Sequence, residues 1–337
     1  MAIETSLAPS EVESFRREGY LVVDGVLDGP SDIEPVIDEY GKRLDALVEL
    51  LLDRGDLREA YRDLPFGRRL TALWLETKRD YAQWFDITLP GSGIRGDTPI
   101  HLGAAVFRLL TNPRLLDVVE SILGPEIFAN PVQHIRMKLP QRATRSVTRS
   151  DLGAPTTITG SVPWHQDNGV YVEDADETDI LTVWLPLNEA TLENGCLQVV
   201  PRSHADLVPH CIVNGIAGIP DSLLPPDEGK PLPMRPGSIL LMDKRTIHGA
   251  LDNTAHDQVR LSFDLRYGRT GEPTGRPILD PGGFVARSRS HPKRVLKDAD
   301  EWRERWLTLR ARLATEQEGS AEQWAAPRWD ADAEWCA

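Results

Sequence analysis

The spacing of hydrophobic and polar positions changes character twice along the chain. Near the N-terminus the apolar residues follow a helical period. Residues 8–19 predict a short helix: Ser10 can cap it, Glu11 and Glu13 fall in the first turn, Phe15 forms the apolar side and Gly19 ends it. Tyr20 to Leu27 predicts a strand closed by a turn. From about 31 to 61, Val36, Ile37, Leu44, Leu47, Val48 and Leu51 recur at helical spacing. Such a stripe ordinarily marks core packing. Residues 62–100 read as irregular, and His101 to Leu123 as one helix stopped by Gly124-Pro125.

Beyond residue 125 the period shortens to two. Glu126 to Pro140 predicts a strand with His134, Arg136 and Lys138 on one face and Ile135 and Met137 on the other. A solvated face and a polar cavity wall both fit that pattern. Residues 141–160 read as a Ser/Thr/Arg-rich loop carrying Arg142, Arg145 and Arg149, either an ordinary solvated loop or a lid touching an anion. Asp179 to Leu187 is strongly β-like, and Glu193-Asn194-Gly195 turns it into a partner strand, Cys196 to Val200. A Pro/Gly-rich insertion follows at 205–233. Ser238–Asp243 and Gln258–Tyr267 are further strands, 268–295 is loop-like and arginine-rich, and Glu301 to Ala314 returns to a helical period. Helices first, then a block of short strands, then a closing helix predict an α+β fold with a mainly β core.

Composition narrows the function. The 337 residues are 40% hydrophobic and 27% charged, the profile of a globular chain with ample core. A net charge of −14 argues against nucleic acid as a partner. The three cysteines, Cys196, Cys211 and Cys336, form no close pair, which argues against a disulfide framework and for a reducing compartment. With no signal-like N-terminus and no apolar run of about 20 residues, the expected location is the cytoplasm and no membrane partner is expected.

The chemistry centres on Trp164-His-Gln-Asp-Asn168. On an extended strand His165 and Asp167 would share one face. His-x-Asp alone is a weak signal, and the chain holds a second copy, His204-Ala-Asp206, at the end of a strand. Only the His165 copy is followed by a run of strands and by a further strand-end histidine, His248. Two imidazoles and one carboxylate form the ligand set of non-haem Fe(II) oxygenases, although a zinc site can use the same donors. Arg260, twelve residues after His248, favours iron: it can hold the distal carboxylate of 2-oxoglutarate bidentately, with the Ser262 hydroxyl on the same strand face.

At this point the sequence resembles the phytanoyl-CoA dioxygenase-like family over about residues 10–270. The resemblance rests on Phe15–Val23, Trp164–Asp167, Val183–Asn188, Glu193–Leu197, Val200–His204, His248-Gly249 and Arg260. It implies a double-stranded β-helix (a cupin-like jelly roll) with flanking helices in a single domain. Helical support would span about 8–124, the jelly-roll core about 125–270, and a loop, helix and tail 271–337. It implies Fe(II) on His165, Asp167 and His248, with 2-oxoglutarate and O2 as co-substrates. Arg260, Ser262, Lys138, His134 and Thr182 would contact 2-oxoglutarate. Trp184, Trp164, Asn168 and Arg136 would line the substrate cavity. The family's Pro-Gly-Ser-His turn reads Pro201-Arg202-Ser203-His204 here, which assigns His204 to a structural turn. The implied reaction is oxidation, foremost hydroxylation, of an aliphatic C–H of a small or medium-sized metabolite, with release of succinate and CO2. Asp167 argues against halogenation, since halogenating relatives lack that carboxylate. The arginines at 142–149 and 266–289 flank the expected mouth and permit an anionic substrate. A metal-binding jelly roll without turnover and a cupin-type hydrolase or isomerase are the alternatives.

Overall fold

The computed structural model describes residues 6–147, 149–150, 159–160, 162–213, 216–226, 229–316, 328–330 and 333–336. Residues 148 and 151–158 of the expected 141–160 loop therefore lie outside the described residues, as does Trp324 of the tail.

The N-terminal helices form where the apolar stripes fall. Pro9–Glu18 is a helix, but its cap is Ala8, not Ser10: Pro9 opens the first turn and Glu11 reaches back to accept the Ala8 N–H at 2.8 Å. Glu34–Asp53 buries Val36, Tyr40, Leu44, Leu47, Val48 and Leu51 on one face. Two expectations fail here. Phe66–Thr77 is a helix inside the stretch expected to be irregular, built on the buried i, i+3, i+4 set Leu70, Leu73 and Trp74. The expected 101–123 helix is two, Ala104–Leu110 and Pro113–Leu123. Pro113 has no N–H to continue the first, and the Asn112 side chain caps the second by accepting from the Arg114 N–H at 3.0 Å.

Among the described residues the β core is two facing sheets, accompanied by two separate two-stranded ladders. The larger is antiparallel, in the order Tyr20–Val23, Ile239–Asp243, Ile180–Pro186, Arg260–Arg269, Glu126–Ala129 and Phe284–Ser288, with His134–Lys138 also paired to Arg260–Arg269. The expected 126–140 strand is thus two strands that pair with successive parts of Arg260–Arg269. Phe284–Ser288 corrects the reading of 268–295 as all loop. The smaller sheet runs Lys230–Leu232, Leu197–Val199, His248–Ala250. The 193–195 turn therefore does not close a hairpin. It carries the chain to the opposite sheet, and the expected insertion supplies that sheet's edge strand, Lys230–Leu232. This is a jelly roll flanked by helices, and the α+β, mainly β expectation holds.

Strand alternation then sorts the chemistry. On Arg260–Arg269, the odd residues Leu261, Phe263, Leu265 and Tyr267 join the core shared with the helices. The even residues Arg260, Ser262, Asp264 and Arg266 point to the other face, level with Lys138, Arg136 and His134 on one neighbour and Trp184 and Thr182 on the other. That face looks at the smaller sheet: Trp184, Leu240 and Met242 pack with Leu197, Val199 and Leu232. Among the described residues no helix is long and apolar enough to cross a membrane.

The cysteines correct another expectation. Cys211 and Cys336 are disulfide-bonded across 125 residues, and only Cys196 is free. Nothing in their sequence spacing marks them as a pair, because the fold alone brings the tail to Cys211.

His204 sits in a turn as expected, its Nε2 3.0 Å from the Arg16 carbonyl. Arg202 occupies the left-handed region with φ 62°. Glycine loses roughly 0.5–1 kcal/mol to unfolded-state entropy, whereas a side chain held there costs roughly 1–2 kcal/mol. Its 3.9 Å ion pair with Glu18 is largely exposed and adds little. Arg202→Gly should therefore raise stability by about 0.5 kcal/mol, read as an upward shift of the denaturant midpoint. A downward shift would contradict this account of the turn.

Candidate metal centre

His165 and His248 meet across an isolated antiparallel bridge at the edge of the smaller sheet, exchanging backbone hydrogen bonds of 2.9 Å in both directions. The expected strand stops there. Gln166 is still extended, but Asp167 opens a 3-10 turn, Asp167–Val170. One extended residue between them is enough to bring the His165 Nε2 to 3.9 Å from Asp167 Oδ1. The two imidazole centroids are 4.2 Å apart. One donor atom from each of His165, Asp167 and His248 lies within 4.8 Å of the others, and all three side chains are buried.

The ring nitrogens are sorted by the backbone. His165 Nδ1 is 2.9 Å from the Pro163 carbonyl, and His248 Nδ1 is 3.0 Å from the Thr246 carbonyl. A carbonyl only accepts, so each Nδ1 carries the proton and each Nε2 keeps its lone pair. Burial, then the neighbouring His248, pushes the His165 imidazole down to about 3, so it stays neutral, as a ligand must be.

Asp167 is held on both oxygens. Arg266 Nη2 donates to Oδ1 at 2.6 Å, and the Thr182 hydroxyl bonds Oδ2. Burial pushes this carboxyl up, but the Arg266 guanidinium outweighs it and keeps the pKa below the ordinary value. Arg266 also faces Asp264 at 3.4 Å, and Asp264 accepts from Arg136 at 2.8 Å. This buried network contains two residues that sequence reasoning missed, Asp264 and Arg266. The signal was the alternation Arg260-x-Ser262-x-Asp264-x-Arg266, set against Leu, Phe, Leu and Tyr.

The arginines expected at the mouth are mostly committed elsewhere. Arg266 is deep inside. Arg287 and Arg289 pair with Asp117 and Glu120 on the Pro113–Leu123 helix, and Arg269 with Asp179. Arg142 donates to the His256 carbonyl at 2.7 Å.

Two buried cations stand apart from that network. Arg260, 1% exposed, donates through Nε to the Gly195 carbonyl at 3.1 Å and through Nη1 to Ser262 Oγ, and lies 5.4 Å from the Trp184 ring centroid. Among the described residues no carboxylate pairs with it. Lys138 sits directly across the strand pair, and its buried Nζ has no hydrogen-bond partner among the described residues. Burial, then Arg260, pushes this ammonium down to about 7. Gly195 lets the chain approach: its φ is 83°, and a Cβ there would lie 2.5 Å from the Leu251 carbonyl and 2.8 Å from Lys138 Cε.

The remaining sequence-predicted residues divide. Trp184 and Ser262 lie on the interior face, Trp184 with its indole N–H unpartnered among the described residues. Thr182 is taken by Asp167, Arg136 by Asp264, His134 by Asp86 at 2.8 Å and Asn168 by Asp176 at 2.8 Å. Trp164 packs with Val200, Ile219 and Ile247, away from the Trp184 cluster.

Replacing Arg266 should test the network. Arg266→Met leaves Asp167 buried without its cation, while Asp264 keeps Arg136, and breaking such a pair costs about 3–5 kcal/mol. The metal-free protein should melt lower, and a divalent metal should recover most of that loss by supplying the missing charge. A metal-independent loss would assign Arg266 to stability alone.

Comparison with known proteins agrees with this geometry. The family described as Phytanoyl-CoA dioxygenase (PhyH) matches residues 15–261. A phytanoyl-CoA dioxygenase of Arabidopsis thaliana is 34% identical over 268 residues, covering 75% of this chain and 86% of its own. A probable alpha-ketoglutarate-dependent hypophosphite dioxygenase of Stutzerimonas stutzeri is 28% identical over 173 residues, 48% of this chain and 56% of its own. Among solved structures, the non-heme monooxygenase ThoJ in its apo form shares the fold with a TM-score of 0.54 and 17% identity, over 91% of this chain and 99% of that one. The chain belongs to the phytanoyl-CoA dioxygenase family and is an Fe(II)- and 2-oxoglutarate-dependent oxygenase.

Proposed function

We propose that the enzyme oxidises, foremost hydroxylates, an aliphatic C–H bond of a small or medium-sized metabolite, at a site built on His165, Asp167 and His248. One observation carries this reading. A buried two-imidazole, one-carboxylate set lies in the same interior as two buried basic side chains, Arg260 and Lys138, that have no carboxylate of their own among the described residues. Buried charges are ordinarily paired, so the pair of cations fits an anionic co-substrate. The donor set fits iron: two imidazole nitrogens and one carboxylate oxygen leave open positions on an octahedral metal.

His165, Asp167 and His248 would hold Fe(II), and Arg260 with Ser262 and Lys138 would hold the distal carboxylate of 2-oxoglutarate. Bound there, iron and co-substrate supply the activation of O2 that oxidises a C–H bond, 2-oxoglutarate leaving as succinate and CO2. The chain's own residues supply order. The Pro163 and Thr246 carbonyls keep both imidazoles in the ligating tautomer. Arg266 and Thr182 keep Asp167 ionised and fixed in direction. Trp184, Leu240 and Met242 form an apolar wall that excludes water. Arg136 and Arg266 are both occupied by carboxylates, so these interior cations do not by themselves demand an anionic substrate.

Anaerobic Fe(II) with 2-oxoglutarate should give the visible charge-transfer band of the bidentate chelate, and O2 should then yield succinate. Neither band nor succinate would leave a metal-binding protein without turnover, or a hydrolase. His165→Ala should abolish the band. Arg260→Ala should weaken 2-oxoglutarate about 100-fold, the equivalent of roughly 3 kcal/mol for a lost charged hydrogen-bonding partner, with metal affinity kept.

Lys138 adds a pH dependence. Its ammonium is charged below its pKa of about 7 and neutral above it. A bound carboxylate raises that pKa, so 2-oxoglutarate affinity should be highest on the acid side and weaken as the pH rises above about 7. Lys138→Met should flatten the profile. A profile unchanged by the substitution would remove Lys138 from the co-substrate site.

A further inference from the structure

The described C-terminal residues lie against the segment that carries Asp167. Arg328 makes two hydrogen bonds to the Asp176 carboxylate, 2.7 and 2.5 Å, and a third to the Asn168 carbonyl at 3.3 Å. Trp329 donates its indole N–H to the Gly169 carbonyl at 2.7 Å. Its ring stacks on His210, centroids 5.4 Å apart and 21° from parallel. His210 in turn accepts the Gln166 N–H at 2.9 Å and donates to the Val208 carbonyl at 2.7 Å. Asp167 is thus bracketed. Its neighbour on one side is held by His210, and the two residues on its other side are held by Arg328 and Trp329. The next residue after His210 is Cys211, which is bonded to Cys336 of the same tail.

We propose that Arg328 and Trp329 are positioning residues for Asp167, and that the Cys211–Cys336 disulfide latches them in place. The proposal rests on the iron reading above. A carboxylate ligand binds metal well only when its direction is fixed, and partners behind the ligands set affinity by roughly 10–100-fold. Arg328 and Trp329 belong to no helix or strand, so they hold their contacts only while the tail stays close. A covalent link beside His210 keeps its effective concentration high. A dithiol would release the latch: the S–S bond breaks, Cys211 and Cys336 each gain an electron and a proton, and the dithiol closes to its cyclic disulfide.

The test uses the full chain, purified without reductant, with Mn(II) as the probe and its free concentration read by electron paramagnetic resonance. Arg328→Ala and Trp329→Ala should each weaken Mn(II) binding about tenfold or more. Dithiol-treated wild type and Cys336→Ser should weaken it similarly, and the dithiol should do nothing further to Cys336→Ser. Melting of the metal-free variants separates the readings. A merely structural tail would lower the melting temperature and leave the Mn(II) Kd unchanged. Kd values within about twofold of wild type for both tail variants and the dithiol-treated protein would overturn the proposal. Dithiol treatment changes no residue, so it stands if a variant fails to fold. Three free thiols in the unreduced, unfolded wild type, in place of the single Cys196, would overturn the latch. Wild type that binds no Mn(II) would instead remove the iron reading beneath the proposal.

Discussion

A carboxylate can serve a metal from a dry interior only if something keeps it charged before the metal arrives. Here that is the ion pair between Arg266 and Asp167, with the Thr182 hydroxyl on the second oxygen. Burial alone pushes Asp167 toward protonation, and a bound proton competes with a metal for the same lone pair. Arg266 brings its own cost, since a buried guanidinium must be satisfied too. Asp264 shares it, and Arg136 completes Asp264. Two cations and two carboxylates close on themselves, so the network is neutral while standing in a medium that penalises any unmatched charge.

That closure depends on one strand. Arg260, Ser262, Asp264 and Arg266 share a face because strand side chains alternate, and the facing sheet makes that face an interior. The same alternation turns Leu261, Phe263, Leu265 and Tyr267 toward the helices. A slip of one residue would bury the charges among the helices and turn the apolar residues to the candidate metal centre, so register and chemistry are fixed together. Arg260 and Lys138 stand at the other end of that face, outside the neutral network. The interior thus has a balanced end near the candidate metal ligands and an electropositive end beyond them.

Much of this was legible from the residues. The two-faced pattern of 134–138, the donor set and Arg260 are all visible as alternation and order along the chain. What escaped was decided by contact between distant segments. The helix Phe66–Thr77 was hidden by flanking polar residues, although Leu70, Leu73 and Trp74 mark its face. Leu197–Val199 looked like the second arm of a hairpin because turn residues precede it, but a turn does not say which sheet the chain enters next. The mouth arginines were misplaced because a list of charges carries no depth: Arg266 is 3% exposed, whereas Arg289 is on the surface. Cys211 and Cys336 are 125 residues apart, and no local pattern joins them.

The two His-x-Asp copies show where the information lies. Their spacing is identical, so spacing cannot choose between them. His165 has its Nδ1 on the Pro163 carbonyl, its Nε2 beside Asp167 and a second imidazole 4.2 Å away. The His204 ring has its Nε2 on the Arg16 carbonyl, in a turn that tolerates Arg202 at positive φ. A carbonyl on Nδ1 frees Nε2 for a metal, whereas a carbonyl on Nε2 ties up the nitrogen a strand would offer. What makes the first copy a candidate ligand pair is the acceptor behind the ring, two residues upstream. That acceptor is a backbone atom, which no side-chain motif can record.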